Sequence, residues 1–176
     1  MKKILRHIIN KIRGTNDIST LIKKGLTVGK NVFINFGCII DESFCWLISI
    51  GDNVTLAPRV HILAHDASTK NFLGYTKVGR VKIENDVFIG ASTIILPGVT
   101  IGNKVVIGAG SIVTKDIPDN SVAVGNPAHI ISTYDKYMKK QKEKLETSCL
   151  FSYNPDEAEK KKIKTYLQEQ KIGFIE

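Results

Sequence analysis

The hydrophobic residues of the chain recur every six positions between residues 28 and 118. Each block of six opens with Val, Ile or Leu, and its fifth residue is usually small or β-branched. A helix repeats every 3.6 residues and a half-buried strand every two, so neither element alone produces this period. A short strand followed by a tight turn, repeated three times per coil, does produce it. The aliphatic openings are Val28, Ile34, Ile40, Ile50, Leu56, Ile62, Ile83, Ile89, Ile95, Ile101, Ile107 and Val113.

This period predicts an all-β core in the form of a parallel β-helix. Three blocks make one coil, and in each block the opening aliphatic residue and the fifth residue point inward. About four coils are predicted, which open at Val28, Ile50, Ile83 and Ile101. The spacing breaks twice, because extra residues follow the block at Ile40 and a longer insertion follows the block at Ile62. We therefore expect loops to leave the coils at those two points.

The segments that flank the repeat have the spacing of α-helices. Residues 2–13 place apolar side chains on one face and basic side chains opposite, and further helices are predicted at about 133–146 and 156–169. The favoured role of the first helix is to cap the neighbouring core, and the alternative is peripheral contact with an anionic membrane. The predicted domains are an N-terminal helical cap (1–25), a β-helix domain (26–131) and a C-terminal helical extension (132–176).

Composition and charge exclude several classes of protein. No uncharged apolar stretch in the 176 residues approaches the roughly 18 residues that a membrane span needs. The start, MKKILRHIINKIRG, lacks the continuous apolar centre of a secretory signal, so a cytoplasmic location is expected. The net charge of +8 lies mostly at the chain ends and is not interleaved with aromatic residues, which predicts no nucleic-acid partner. Three cysteines without CxxC spacing predict neither a disulfide scaffold nor a zinc knuckle.

Two segments carry a resemblance to a known family: IGDNVTLAPRVHILAHDAS and, after a loop, VKIENDVFIGASTIILPGVTIGNKVVIGAGSIVTKDIPDNSVAVGNPAHII. The phased hexads, the His before the long loop, and TKDIP followed by GNPA closely resemble the hexapeptide-repeat acyltransferases. The chain is most similar to the galactoside and maltose O-acetyltransferases and to the sugar acetyltransferases of bacterial surface-polysaccharide pathways. The resemblance implies a left-handed coil, a homotrimer, acetyl-CoA as the donor, and three active sites between neighbouring subunits.

The candidate catalytic residue is His65, which precedes the long insertion. Acetyl transfer to an alcohol needs a base that titrates near neutral pH, as imidazole does, and the catalytic His of the family occupies this position. A carboxylate or carbonyl should fix the imidazole tautomer. Stacking puts Asp41 and Glu42 one coil below, about 4.8 Å away, so either is an orienting or acceptor-binding candidate, or an ordinary corner acid. Asn35 matches an Asn that in the family contacts the acceptor or the acyl group.

The resemblance also implies a groove for the pantetheine arm of acetyl-CoA, beside small residues of neighbouring coils. The matching residues are Phe88, Gly90, Ala91, Gly108, Ala109, Gly110, Thr114 and Lys115. After GNPA the family often has an Arg that faces the CoA phosphates, whereas this chain has His129. Four other cations are alternatives for that role: Lys77, Arg80, Lys115 and Lys136.

A second histidine, His61, lies four residues before His65 and raises the question of a metal site. The remaining histidines, His7 and His129, fall outside the coils, so no metal is predicted. His61 instead occupies an outward position in register with Ile39, Ile94 and Ile112. An outward apolar column predicts burial against another subunit, so we expect His61 to line the trimer contact.

The predicted function is acetyl-CoA-dependent transfer of an acetyl group to the hydroxyl of a sugar, nucleotide sugar or glycan. His65 acts as the general base, and no covalent acyl-enzyme forms. Two alternatives stay open: the same chemistry on an amino sugar or on serine, and a non-catalytic structural or binding trimer. The long insertion contains Phe72 and Tyr75, which are candidates either to stack on a sugar ring or to tie down the loop.

Overall fold

The computed structural model describes residues 17–170 and 172–175 of the chain. The helix predicted over residues 2–13 lies outside the described residues. The chain divides into two compact units, with the boundary between Tyr134 and Asp135. Within the described residues, no helix has both the length and the apolar character needed to cross a bilayer.

The first unit consists of short strands that visit three sheets in turn. The first sheet contains β1 (Thr27–Val28), β4 (Ile48–Ile50), β9 (Val81–Ile83) and β12 (Thr100–Ile101). The second contains β2 (Phe33–Ile34), β5 (Thr55–Leu56), β10 (Val87–Ile89), β13 (Val105–Ile107), β15 (Ser121–Val124) and β16 (His129–Thr133). The third contains β3 (Ile39–Ile40), β6 (His61–Ile62), β11 (Ile94–Ile95) and β14 (Ile112–Val113). All strand pairs within these three sheets are parallel except β15 with β16, so the unit is a parallel β-helix.

The core of this unit is the column of hexad openings that the register stacks inside the coils. In the third sheet, for example, Ile40, Ile62, Ile95 and Val113 are aligned from one coil to the next. Ten of the twelve openings are buried, and Val28 and Ile34, at the end of the stack, are partly buried against them. Because each buried aliphatic side chain contributes about 1.5–3 kcal/mol, this column supplies a large share of the hydrophobic stabilisation.

The corner between the first and second sheets combines glycines with polar residues. Gly29, Gly51 and Gly102 each directly follow a strand of the first sheet, and polar residues come after them. Left-handed backbone conformations occur there at Asn31, Asn53, Asp86 and Lys104. Asn and Asp are residue types that tolerate positive φ. Asn31 Nδ2 donates to Asn53 Oδ1 at 3.1 Å, and Asn53 Nδ2 donates to Asp86 Oδ1 at 2.9 Å. The corner is therefore held by a ladder of side-chain hydrogen bonds between coils.

Short irregular elements occupy the two insertions and the start of the unit. Helix α1 (Ile18–Lys23) precedes the first coil, and a 3₁₀ turn (Cys45–Leu47) fills the first insertion. The longer insertion is a hairpin of β7 (His65–Asp66) and β8 (Lys77–Val78), with helix α2 (Lys70–Leu73) between its strands.

The second unit is helical with one small sheet. Helix α3 (Tyr134–Glu146) begins at the unit boundary, and α4 (Glu157–Glu169) follows further along the chain. Strands β17 (Leu150–Phe151) and β18 (Phe174–Ile175) pair in parallel.

Candidate active site

Both insertions leave the coils at the same corner, the one that follows the third sheet. The backbone N–H of Asp41 donates to Ile62 O at 2.9 Å, and that of Leu63 donates to Ile95 O at 3.0 Å, so the two positions are stacked. We call this corner, formed by residues 41–47 and 63–66, the His65 corner. Because the insertions belong to consecutive coils, their side chains meet there.

Asp41 contacts the imidazole of His65 directly. Its Oδ2 contacts His65 Nδ1 and also accepts the backbone N–H of Ala64 at 3.0 Å, while its Oδ1 accepts the backbone N–H of Phe44 at 3.3 Å. The Asp41 residue is only 5% exposed. Because a carboxylate only accepts, the arrangement assigns the proton to Nδ1 of His65 and leaves Nε2 as a hydrogen-bond acceptor.

An aromatic ring packs against the same imidazole. The ring centroids of Phe44 and His65 are 5.0 Å apart with planes tilted by 43°. The His65 side chain is 35% exposed, so it is fixed at Nδ1 and along one side but remains accessible. Sequence reasoning missed this contact, although Phe44 stands at a fifth position where a small residue was expected, and that departure was the available signal.

The hairpin fixes the backbone of His65 from the other side. His65 pairs with Val78 in antiparallel register, and Gly79 N donates to Ala64 O at 2.9 Å. A Cβ on Gly79 would lie only 2.5 Å from Gly98 N, so the returning strand crosses the neighbouring coil where only glycine fits.

A salt bridge of 2.6 Å between Lys77 and Asp66 ties the two strands of this hairpin. The hydrogen bonds from Lys77 and then from Ser68 hold the pKa of the Asp66 carboxyl well below its usual range. Lys77 is one of the candidate cations that the sequence offers for the CoA phosphates. In the structure its ammonium group is paired with Asp66.

The other two candidates for acceptor contacts lie apart from the imidazole. Glu42 is exposed and forms a 2.6 Å salt bridge with Lys24, so Asp41, and not Glu42, contacts His65. Asn35 lies at a different corner, the one that follows the second sheet, and its Nδ2 donates to Leu56 O at 3.0 Å.

That second corner also carries most of the residues matched to the donor groove. A backbone ladder stacks Asn35, Ala57, Gly90 and Gly108, because each N–H donates to the strand end of the next coil. The remaining small residues follow in the same turns, namely Ala91, Ala109 and Gly110, and Phe88 lies exposed on the adjoining second sheet. We call this the donor corner.

Thr114 and Lys115 do not join that set. They directly follow β14, in the stack of the His65 corner, and both are exposed. The predicted donor residues are therefore divided between the two corners that flank the third sheet.

The glycines of the donor corner are explained by different physical requirements. A Cβ on Gly90 would lie 2.4 Å from Ala109 N, and one on Gly108 would lie 2.6 Å from Val124 Cγ1, so coil stacking alone requires both glycines. Gly110 has a φ of +70° and open space where a Cβ would stand. With Ala109 also exposed, the corner offers an open strip of small side chains at the positions where the sequence predicts the groove for the pantetheine arm.

His61 lies half-exposed on the outer face of the third sheet, in register with Ile39, Ile94 and Ile112. Among the described residues, no three His, Cys, Asp or Glu side chains are grouped as metal ligands. Cys38 faces the core, where burial raises the pKa of its thiol, and its Sγ donates to Ala57 O at 3.2 Å.

Comparisons with known proteins agree with this architecture. Residues 80–115 match the family described as the hexapeptide repeat of succinyl-transferase. The galactoside O-acetyltransferase of Escherichia coli K12 is 41% identical over 129 residues, which are 69% of this chain and 62% of that protein. The Bacillus subtilis protein YvoF, named as an acetyltransferase without a stated acceptor, is 36% identical over 69% of this chain and 68% of its own length.

Among solved structures, a hexapeptide-repeat-containing acetyltransferase from Vibrio cholerae, complexed with acetyl coenzyme A, is similar with a TM-score of 0.57. It is 31% identical, and the match covers 63% of this chain and 61% of that one. A parallel β-helix built from hexapeptide repeats defines the class, and the chain belongs to the hexapeptide-repeat acetyltransferases. It spans about three fifths of the length of the Escherichia coli enzyme.

Proposed function

We propose that this protein is an acetyl-CoA-dependent O-acetyltransferase that acts on a hydroxyl group of a sugar or glycan. The observation that carries the proposal is the pair of His65 with the buried carboxylate of Asp41, at the corner where both insertions leave the coils. Similarity to a galactoside O-acetyltransferase and to a structure that contains acetyl coenzyme A supports the choice of donor and acceptor.

In the proposed reaction His65 works as the general base. Its Nε2 takes the proton of the acceptor hydroxyl while the hydroxyl oxygen attacks the thioester carbonyl carbon of acetyl-CoA. Collapse of the tetrahedral intermediate breaks the C–S bond, and His65 returns the proton to the departing sulfur, so the products are the acetyl ester and free CoA. Asp41 holds the Nδ1 proton and stabilises the imidazolium that forms in between.

The proposal includes the assembly that the sequence analysis expects, a homotrimer of left-handed coils in the cytoplasm. Within one chain the third sheet separates the His65 corner from the donor corner. A neighbouring subunit that packs against the outward column of Ile39, His61, Ile94 and Ile112 would bring its own donor corner to His65. In this arrangement the β-helix unit performs the chemistry.

A histidine pair of the same chain tests the assignment of the base. We expect His65→Ala to lower kcat by roughly 100-fold to 10,000-fold, with little change in acetyl-CoA affinity, because positioned proton transfer has that value. His61→Ala is the matched control, and it should weaken the trimer more than it slows the remaining trimer. Release of CoA with simple sugars, calorimetric binding of acetyl-CoA and light scattering measure the three properties. If His65→Ala keeps more than about a tenth of kcat, His65 is not the base.

Mixed trimers test whether the site is shared between subunits. His65→Ala removes the base, and Ala109→Trp fills the donor corner at an exposed position. Alone, each variant should be inactive. When both chains are co-expressed with different tags, random assembly gives about one quarter of the interfaces an intact His65 beside an intact Ala109. Recovery of about that fraction of activity supports the shared site, whereas a site made within one chain would give no recovery.

A further inference from the structure

One exposed aromatic residue beside the His65 corner takes no part in the chemistry described above. Trp46 lies in the 3₁₀ turn of the first insertion, and its side chain is on the surface, with 59% of the residue exposed. Its ring centroid lies 6.5 Å from that of Phe44, which in turn lies 5.0 Å from that of His65. Phe44 therefore contacts the imidazole of His65 and also lies beside the exposed indole of Trp46.

The backbone that carries this indole is rigidly anchored on both sides. Cys45 is fully buried, with its Sγ directed at Leu21 O at 3.6 Å, and Ile48 is 1% exposed. The turn that ends helix α1 packs directly on Trp46, because a Cβ on Gly25 would lie 2.8 Å from Trp46 Cβ. Anchoring of this kind pre-organises a binding residue, since the ordering cost is met on folding rather than on binding.

We infer that Trp46 is a stacking platform for a carbohydrate ring of the acceptor, in a subsite that extends from His65 across Phe44. The indole offers a large flat apolar face beside a polar edge, which matches the C–H face and hydroxyl rim of a pyranose. The inference rests on the proposed function and narrows it. The acceptor has at least two rings, one that presents its hydroxyl to His65 and a linked one that lies on Trp46.

The exposed indole next to Phe44 favours this acceptor over serine or a single amino sugar. A small amino acid held at His65 Nε2 would leave Trp46 without a contact. A second pyranose linked to the reacting one would instead have an aromatic surface to contact, because Phe44 lies next to both His65 and Trp46. Ligand sites that combine a few polar groups with aromatic walls are the usual form of small-molecule pockets.

Fluorescence tests the platform independently of turnover, because Trp46 is the only tryptophan of the chain. The probes are maltose, lactose and cellobiose, with methyl glucoside, methyl galactoside and uridine monophosphate as comparisons. We expect at least one disaccharide to change the Trp46 emission saturably, with a lower Kd than either methyl glycoside. A change with uridine monophosphate alone would overturn the inference in favour of a nucleotide base, and no change with any probe would overturn it outright.

Kinetics of variants with the same disaccharides distinguish failure of the platform from failure of the proposed function. Trp46→Ala should raise the acceptor KM about tenfold, equivalent to about 1.4 kcal/mol, with kcat and the acetyl-CoA KM nearly unchanged, and Trp46→Phe should recover part of the loss. Phe72→Ala, which removes an 87% exposed aromatic side chain of the hairpin, is the matched control. An unchanged KM in Trp46→Ala, or a rise only in Phe72→Ala, overturns the platform. If a disaccharide changes the Trp46 emission saturably but no CoA is released with any of these acceptors, the result supports the platform and contradicts the proposed transferase activity.

Discussion

Replacement of Asp41 by asparagine separates the charge of this residue from its geometry. The Oδ2 of Asp41 meets two donors, Ala64 N–H and His65 Nδ1, whereas its Oδ1 meets only Phe44 N–H at 3.3 Å. An asparagine amide should therefore place its oxygen at the Oδ2 position and its NH₂ group toward Phe44. The imidazole then keeps the same tautomer, and only the negative charge and the weaker backbone hydrogen bond are lost.

The expected size of the effect follows from that geometry. A hydrogen bond to a charged group is worth about 1.5–3 kcal/mol, so Asp41→Asn should lower kcat about 10- to 100-fold. The unpaired Phe44 N–H should cost about 1–3 kcal/mol of unfolding free energy. Asp41→Ala leaves Ala64 N–H without its partner as well and releases His65, so its losses in both kcat and stability should be larger.

Three measurements check this prediction. CoA release gives kcat, urea unfolding at fixed protein concentration gives stability, and ¹⁵N chemical shifts of the His65 ring report which nitrogen carries the proton. We expect Nδ1 to stay protonated in Asp41→Asn. If Asp41→Asn is as inactive as His65→Ala, or if its proton has moved to Nε2, the assignment of the amide orientation is wrong. If kcat changes less than threefold, the Asp41 charge does not take part in the reaction.

Two further variants probe the frame that holds this site. Gly79→Ala should lower the free energy of unfolding by about 1–3 kcal/mol and also lower kcat, because its Cβ would lie 2.5 Å from Gly98 N and displace the hairpin that pairs with His65. Urea unfolding and CoA release measure the two effects. A variant with wild-type stability and turnover would contradict the contact. Ile95→Ala should lower the free energy of unfolding in urea by about 2–5 kcal/mol, because its side chain is fully buried. Ile94→Ala, on the outward side of the same strand, should chiefly dissociate the trimer, which light scattering would detect as a lower mass. Equal effects of the two variants on stability would contradict the inward and outward assignment.

The coils could be predicted from the sequence because the six-residue period shows directly which side chains are packed in the core. An aliphatic residue at every sixth position must be inside, and the register of the three sheets aligns these residues as the period requires. The period breaks after the blocks that open at Ile40 and Ile62, and both insertions leave the coils in those two blocks of the structure. Since both breaks follow the third strand of a coil, the period alone already implied that the insertions share a corner.

Other features depend on contacts that a periodic pattern does not encode. The sequence does not decide which of the adjacent acids Asp41 and Glu42 contacts His65. The structure decides it, because the Asp41 side chain contacts the imidazole whereas Glu42 pairs with Lys24. The antiparallel pairing of His65 with Val78 depends on how the insertion folds back, and its residues carry no alternation that predicts strands. Gly90 was matched to a ligand groove, although the neighbouring coil explains it independently.

The division of the proposed site between two corners follows from the architecture itself. A triangular coil has flat sheets between its corners, so side chains on successive corners of one chain point away from each other across a whole sheet. The third sheet presents Ile39, Ile94 and Ile112 outward, which is apolar surface that water does not favour. Burial of that face against a second copy would cover the column and bring the donor corner of one chain beside the His65 corner of the next. The same residues that stabilise such an assembly would thereby complete the site, which is why loss of the interface should abolish turnover even where His65 and Asp41 are intact.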